Sequence, residues 1–275
     1  MADPANASSR GDPSTERSRL VGGAYRTSAS LRDRAALYRF ARRQVDLPEW
    51  VFDHVQLRER GRFLDVGCGP GWYLRTLSQR RPEWSLCGVD LSLGMAAEAR
   101  RHGPTMVADA QQLPAIDRVF DLVLAAHMLY HVPDPERAAA ELARVCLADG
   151  YVLVVLNGPG HQLALRQLVE SATGTRLPLT GGRMQLDRAP EVLAPHLVVE
   201  REDVLVDDIV VTSAGPVISY VQSMRSLVEP GLRGFTNWTM VLARCRAALD
   251  EALARDGQWT TSLETGVLVC RPANT

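Results

Sequence analysis

The sequence predicts an α/β fold: a doubly wound, seven-stranded, mostly parallel sheet with a helical cap. Three observations carry that prediction. The apolar run Phe63-Leu64-Asp65-Val66 is followed by glycines at alternate positions, Gly67, Gly69 and Gly71, and at once by a helical pattern, Trp72 to Leu77. Two further short apolar strands end in acids, Ser85 to Asp90 and Thr105 to Asp109, with helix-length chain between them. Beyond residue 195, a long alternating run and a final strand bracket two helical stretches.

The first strand and its glycines form a strand–turn–helix unit. Glycines there permit a tight turn and let a ligand approach the backbone, at the positive end of a helix. Ser92 is placed to cap the next helix, Leu93 to Arg101. The fourth strand is Phe120 to Ala126, and His127, Met128, Leu129, Tyr130, His131 and Val132 form the loop beyond it. Leu142 to Val145, the turn Asp149-Gly150 and Tyr151 to Val155 supply a helix, a turn and a fifth strand. Val198 to Val211 and Gln258 to Cys270 are the last two strands.

Outside the sheet, Leu31 to Val45 and Glu49 to Leu57 read as helices ahead of the first strand. His161 to Ala172 follows the turn cluster Asn157-Gly158-Pro159-Gly160 and carries Leu163, Leu165, Leu168 and Val169 on one side. Thr173 to Pro195, rich in Gly, Pro and Thr, reads as an irregular connection. Ala214 to Val228 and Asn237 to Arg255 read as helices, and with Phe235, Trp238 and Met240 they offer a pocket wall, core or a dimer contact. The expected organisation is a disordered tail over 1–18, cap helices over 19–58, and a sheet domain over 59–275 with cap insertions at about 160–195 and 214–255.

The spacing G-x-G-x-G, with an acid two residues before it, differs from the G-x-G-x-x-G of dinucleotide dehydrogenases. It resembles motif I of the class I methyltransferases, which bind S-adenosylmethionine. Five segments between Phe63 and Asn157 match that family in order, and the resemblance is loose elsewhere. It implies a late strand pair with the last strand antiparallel. It also implies a donor site of Asp65, Gly67, Cys68, Gly69, Gly71, Asp90, Leu91, Asp109, Ala110 and Ala126. Asp90 would accept hydrogen bonds from the ribose hydroxyls. Asp109 would take the adenine amino group, and the Ala110 amide would reach the ring. Tyr25 is the candidate lid residue, with an ordinary packing tyrosine as the alternative.

Methyl transfer needs alignment first and a base only where the nucleophile must lose a proton. His127 and His131 are the candidate bases; the His-Val-Pro pattern also fits a framework role for His131. Tyr130 faces the pocket or the core, and Cys68 reads as a small packing residue. An Asn/Asp-Pro-Pro-aromatic motif, expected of methyltransferases acting on nucleic-acid amines, is replaced by Ala125-Ala126-His127-Met128.

Composition narrows the classes. The chain has 275 residues, 46% of them hydrophobic, and a net charge of −1. That balance disfavours a nucleic-acid partner, which calls for a basic excess. No apolar run is long enough to cross a bilayer. All 31 basic residues are arginine, which excludes Schiff-base and P-loop lysines and fits a G- and C-rich codon bias. Five cysteines, an odd number without metal-ligand spacing, fit a reduced cytoplasmic compartment and no metal. The function expected is methyl transfer from S-adenosylmethionine to a small molecule of bacterial natural-product biosynthesis, with a homodimer possible. The alternatives are an RNA methyltransferase, or a donor-binding protein that no longer transfers methyl groups.

Overall fold

Strand β1 (Arg62–Val66) lies inside the sheet, between β2 (Ser85–Asp90) and β4 (Phe120–Ala126), and pairs in parallel with both. β3 (Thr105–Val107) extends the sheet beyond β2, and β5 (Cys146–Asn157) extends it beyond β4, again in parallel. β7 (Trp259–Pro272) runs antiparallel to β5, and β6 (Leu197–Val211) antiparallel to β7. The order is therefore β3-β2-β1-β4-β5-β7-β6. The sequence direction reverses between β1 and β4, which opens a crevice at the carboxyl ends of the strands. This computed structural model describes residues 22–23, 25–175, 184–232 and 237–273. The tail 1–18 and Phe235 lie outside the described residues.

Both faces of the parallel strands are covered, so their central stretches, such as Leu122 to Ala126 and Tyr151 to Leu156, are apolar runs. In β4, Val123 and Ala125 enter the core on one face, and Leu122 and Leu124 enter the core on the other. β5 does the same with Val152, Val154 and Leu156 against Leu153 and Val155. Ahead of β1 come α1 (Ala29–Ala35) and α2 (Leu47–Phe52). α3 (Trp72–Arg80) and α4 (Leu93–Ala99) follow β1 and β2, and α5 (Pro135–Val145) leads into β5. Then come α6 (Leu163–Thr173), the short α7 (Ala189–Leu193), α8 (Gly215–Ser223), α9 (Arg225–Val228) and α10 (Trp238–Asp256). A third apolar cluster joins α6, α8 and α10 to Ile209 and Val211 of β6 and to Leu37.

Three expectations need correction. The helix expected over Leu31 to Val45 stops early: α1 passes into a 3-10 turn over Ala36–Phe40, and Ala41 turns extended. Ala41 bridges Ile209, and the Arg42 amide donates to the Asp208 carbonyl at 2.9 Å. Pairing with the outer edge of β6 outweighs helical propensity here, and it covers a sheet edge that would otherwise be open. Second, Ala214 to Val228 is broken at Met224 into α8 and α9. Third, the stretch read as irregular over Thr173 to Pro195 contains α7 and the core residues Met184 and Leu186. Leu186 packs against Gly266 of β7, where any Cβ would collide with it. That contact between distant segments leaves no local sequence signal.

Candidate active site

The glycine turn after β1 is built as its spacing requires. Gly67, Gly69 and Gly71 all have positive φ, 71°, 52° and 85°. A Cβ at Gly67 would lie 2.7 Å from Cβ of Met128, and one at Gly71 would lie 3.1 Å from Ala99. Gly69 differs: the nearest atom to its added Cβ is Leu31 Cδ2 at 3.8 Å. The first and last glycines are thus demanded by packing, and the middle one presents an open backbone face.

Asp90, at the tip of β2, is held at both oxygens. Oδ2 accepts from the Gly69 amide at 2.9 Å and Oδ1 from the Ser92 amide at 2.8 Å. Burial raises its pKa above the ordinary carboxylate range, while the Ser92 and Gly69 bonds oppose that rise. Asp65 is 1% exposed, and its Oδ2 has no partner. Burial, with the Asp90 charge nearby, pushes its pKa up to about 8. Asp109 lies just after β3; its Oδ1 accepts from the Gln111 amide at 2.9 Å and from Nε2 of the same residue at 3.0 Å. Ala110 beside it is buried, and Leu91 and Ala126 are half-buried at the ends of β2 and β4. Cys68 is buried, and burial holds its thiol protonated far above neutrality. These residues come together at one edge of the sheet. A buried Asp65 oxygen without a partner beside a second acid, and a glycine turn with little packed over Gly69, leave polar groups there for a ligand to meet.

The N-terminal segment crosses this edge. Ser92 Oγ donates to the Tyr25 carbonyl at 2.7 Å, and the Arg26 carbonyl sits so near Gly94 that no Cβ fits there. The Tyr25 hydroxyl meets Nε2 of His131 at 2.8 Å, and the two rings pack edge to face at 5.1 Å. Tyr25 thus closes onto the loop after β4. His131 also packs edge to face on Tyr130 at 4.5 Å.

Next to this closure lies a cluster of polar and aromatic side chains that the sequence does not announce. Arg34 of α1 stacks its guanidinium 4.9 Å from the Tyr25 ring centre, and its Nη1 lies 3.4 Å from that hydroxyl. The Tyr38 hydroxyl meets Nε2 of His161 at 3.2 Å, and His161 Nδ1 meets the Glu264 carbonyl at 3.0 Å. The Tyr220 hydroxyl donates to Oε1 of Gln162 at 2.7 Å. Tyr38 is 37% exposed, yet desolvation raises its phenol pKa strongly. His127 has a left-handed backbone, φ 53°, fixed by its amide bond to the Val155 carbonyl at 2.9 Å. Burial lowers its pKa to about 4. Burial and the neighbouring His127 lower that of His161 to about 3. With a pKa of about 4 the His127 imidazole is neutral at neutral pH. Arg34 and Tyr38, His161 and Gln162, and Tyr220 come from three segments far apart in sequence, so spacing alone carried no signal for them.

No group of side chains suited to a metal ion occurs among the described residues, and no described helix is long and apolar enough to cross a membrane. Comparison with known proteins agrees with the motifs. Residues 64–154 match a family model described as a methyltransferase domain. The chain is 42% identical over 108 residues to a malonyl-[acyl-carrier protein] O-methyltransferase of Geobacter sulfurreducens, covering 37% of this chain and 40% of that protein. It is 32% identical over 152 residues to a trans-aconitate 2-methyltransferase of Methylobacterium nodulans, covering 53% and 58%. The chain thus spans about half the length of these curated relatives. A proposed methyltransferase from Bacillus halodurans shares the fold, with a TM-score of 0.56 and 14% identity over 82% of this chain and 97% of that one. By motif, strand order and these matches, residues 64–154 are similar to methyltransferase domains.

Proposed function

We propose that the protein transfers a methyl group from S-adenosylmethionine to a small molecule held at the cluster of tyrosine and histidine side chains. The observation that carries this reading is the contiguity of two sites. α1 places Leu31 over the open face of Gly69 and Arg34 in the polar cluster, so one helix borders both. When bound, the donor supplies an activated methyl on a sulfonium. Asp90 would hold the ribose hydroxyls, with its oxygens pre-oriented by Gly69 and Ser92. Asp109, Ala110 and Leu91 would border the adenine. Asp65 and the Gly67–Gly71 turn would lie under the methionine part, where the paired acids favour a cation.

The chain's own contribution is alignment and exclusion of water. Orientation alone can supply roughly 7–11 kcal/mol of a barrier. Tyr25 closes the mouth by its bond to His131. With pKa values this low, neither His127 nor His161 is suited to take a proton from the acceptor at neutral pH. The cap that encloses the acceptor is drawn from residues 19–58, about 160–195 and 214–255. The bacterial relatives, which by name act on malonyl-[acyl-carrier protein] and on trans-aconitate, support an acceptor of small size. We place the reaction in bacterial natural-product metabolism, in the cytoplasm.

The test uses donor labelled in its methyl group, incubated with the protein and with separate low-molecular-mass, RNA and protein fractions of bacterial cells. Label in the low-molecular-mass fraction supports this reading. Label in RNA overturns the assignment of the acceptor, and donor binding without transfer to any fraction overturns the assignment of the activity.

A further inference from the structure

The polar cluster holds a cation without a counter-charge. Arg34 is a permanent guanidinium. Its Nε donates to the Ser30 carbonyl at 3.3 Å, its Nη1 reaches the Tyr25 hydroxyl at 3.4 Å, and its Nη2 is buried with no partner. No carboxylate lies within ion-pair distance of it among the described residues. Most arginines of this chain that the structure describes in ion pairs are exposed, such as Arg32, Arg58 and Arg225. Arg34 is the contrary case: half-buried, with aromatic neighbours instead of acids.

A second donor lacks its acceptor in the same place. Gln162 is 4% exposed, and its Nε2 has no partner. Its Oε1 is taken by the Tyr220 hydroxyl, so the amide cannot satisfy Nε2 by flipping without losing that bond. Gln162 also carries a left-handed backbone, φ 52°, at the start of α6. Tyr220 stands between the two donors. It bonds Gln162 directly, and it lies near enough to Arg34 for their charges to interact. It belongs to α8, which packs on α1.

A buried polar group without a partner costs about 1–3 kcal/mol, and more when it is charged. Two such donors on either side of Tyr220, one of them cationic, would be satisfied by an anionic oxygen ligand. A protonated amine is repelled there, and a neutral alcohol or amide leaves the charge uncompensated. Arginine and amide donors match the planar fork of a carboxylate, and charge-assisted bonds of this kind are the strong ones. A carboxylate is also ionised at neutral pH without help from a base, as suits a cluster whose histidines remain neutral.

Resting on the reading of the cluster as the acceptor site, we propose that the acceptor is an organic carboxylate, bound by the Arg34 guanidinium and the Gln162 side-chain amide. Arg34 and Gln162 then select the substrate by charge, and Tyr220 is the positioning residue that holds Gln162 in its donating orientation.

The test is calorimetry on the full chain saturated with S-adenosylhomocysteine, titrated with trans-aconitate and with benzoate, and in parallel with their primary amides. The expected result is carboxylate binding at least 10-fold tighter than amide binding. Arg34→Gln and Gln162→Leu should each remove most of that preference, and Arg34→Lys, which keeps charge but not the fork, should retain part of it. Affinity for S-adenosylhomocysteine should stay within about 3-fold of wild type in all three, which also shows that they fold. Carboxylates binding no better than amides would overturn the proposal. So would an Arg34→Gln protein that loses the nucleoside instead, because the guanidinium would then serve the donor's own carboxylate. Failure of the wild-type chain to bind S-adenosylhomocysteine at all would refute the donor site itself, a separate and recognisable outcome.

Discussion

Tyr25 and His131, 106 positions apart, share a hydrogen bond of 2.8 Å that ties the N-terminal segment to the loop after β4. One partner precedes the sheet and the other follows the strand beside β1, so the bond closes the crevice at the point where strand order reverses. Tyr25→Phe keeps the ring and removes the bond. A neutral hydrogen bond contributes about 0.5–1.5 kcal/mol, so donor affinity should fall about 2- to 12-fold. The loss should appear as faster dissociation, measured by stopped-flow fluorescence.

Gly94 offers a second handle on the same closure. The Arg26 carbonyl occupies the space a Cβ would need, so Gly94→Ala should push the N-terminal segment off α4. Glycine-to-alanine in a helix otherwise gains roughly 0.5–1 kcal/mol, so a loss would report the clash alone. Limited proteolysis should cut the segment around residues 22–28 faster in the variant, while the melting of the sheet domain changes little.

The buried histidines set an acid limit. His127 and His161 have native pKa values of about 4 and about 3, against about 6.5 unfolded. As pH falls below about 6.5, the unfolded chain takes up protons that the native state refuses. Stability is therefore complete above that value and is lost as pH falls toward 4. Asp65 acts in the opposite sense: its native pKa of about 8 lies above the unfolded value, so its burial weighs increasingly against the native state as pH rises from 4 to 8. Thermal melts should show a maximum between these limits, and His127→Ala should flatten the acid side.

His127 also bears on rate. A base of pKa about 4 gives little help at neutral pH. The turnover of His127→Ala with its substrate should fall by less than about 10-fold, and the wild-type profile should show no ionisation of this residue near 6.5. A loss of about 10²–10⁴-fold would instead assign it a proton-transfer role.

The sheet and the donor edge were legible in the sequence because they are local. An apolar run, an acid and a glycine turn lie within nine residues from Phe63 to Gly71, and the same strand-and-acid pattern recurs at Asp90 and Asp109. Period-2 burial on two covered faces made the strands readable as apolar runs. The polar cluster was not legible, because it is assembled by tertiary contact. Arg34 had the look of one more arginine on an amphipathic helix, and Gln162 that of an ordinary residue at a helix start. Their burial depends on α8 and β7, which arrive 50 to 230 residues later. The N-terminal helix was overextended for the same reason: Ala41 obeys the edge of β6, not its neighbours.

In the proposed donor site, Asp90 is the group that would hold the ribose. Calorimetry should show one molecule of S-adenosylmethionine or S-adenosylhomocysteine bound per chain. Asp90→Ala removes a charged acceptor for two hydroxyls, each such bond being worth roughly 1.5–3 kcal/mol, and affinity for both ligands should fall at least 100-fold. Asp90→Asn should fall less, since it keeps an acceptor oxygen for one of them. Unchanged affinity in Asp90→Ala, with the fold intact by circular dichroism, would contradict the account.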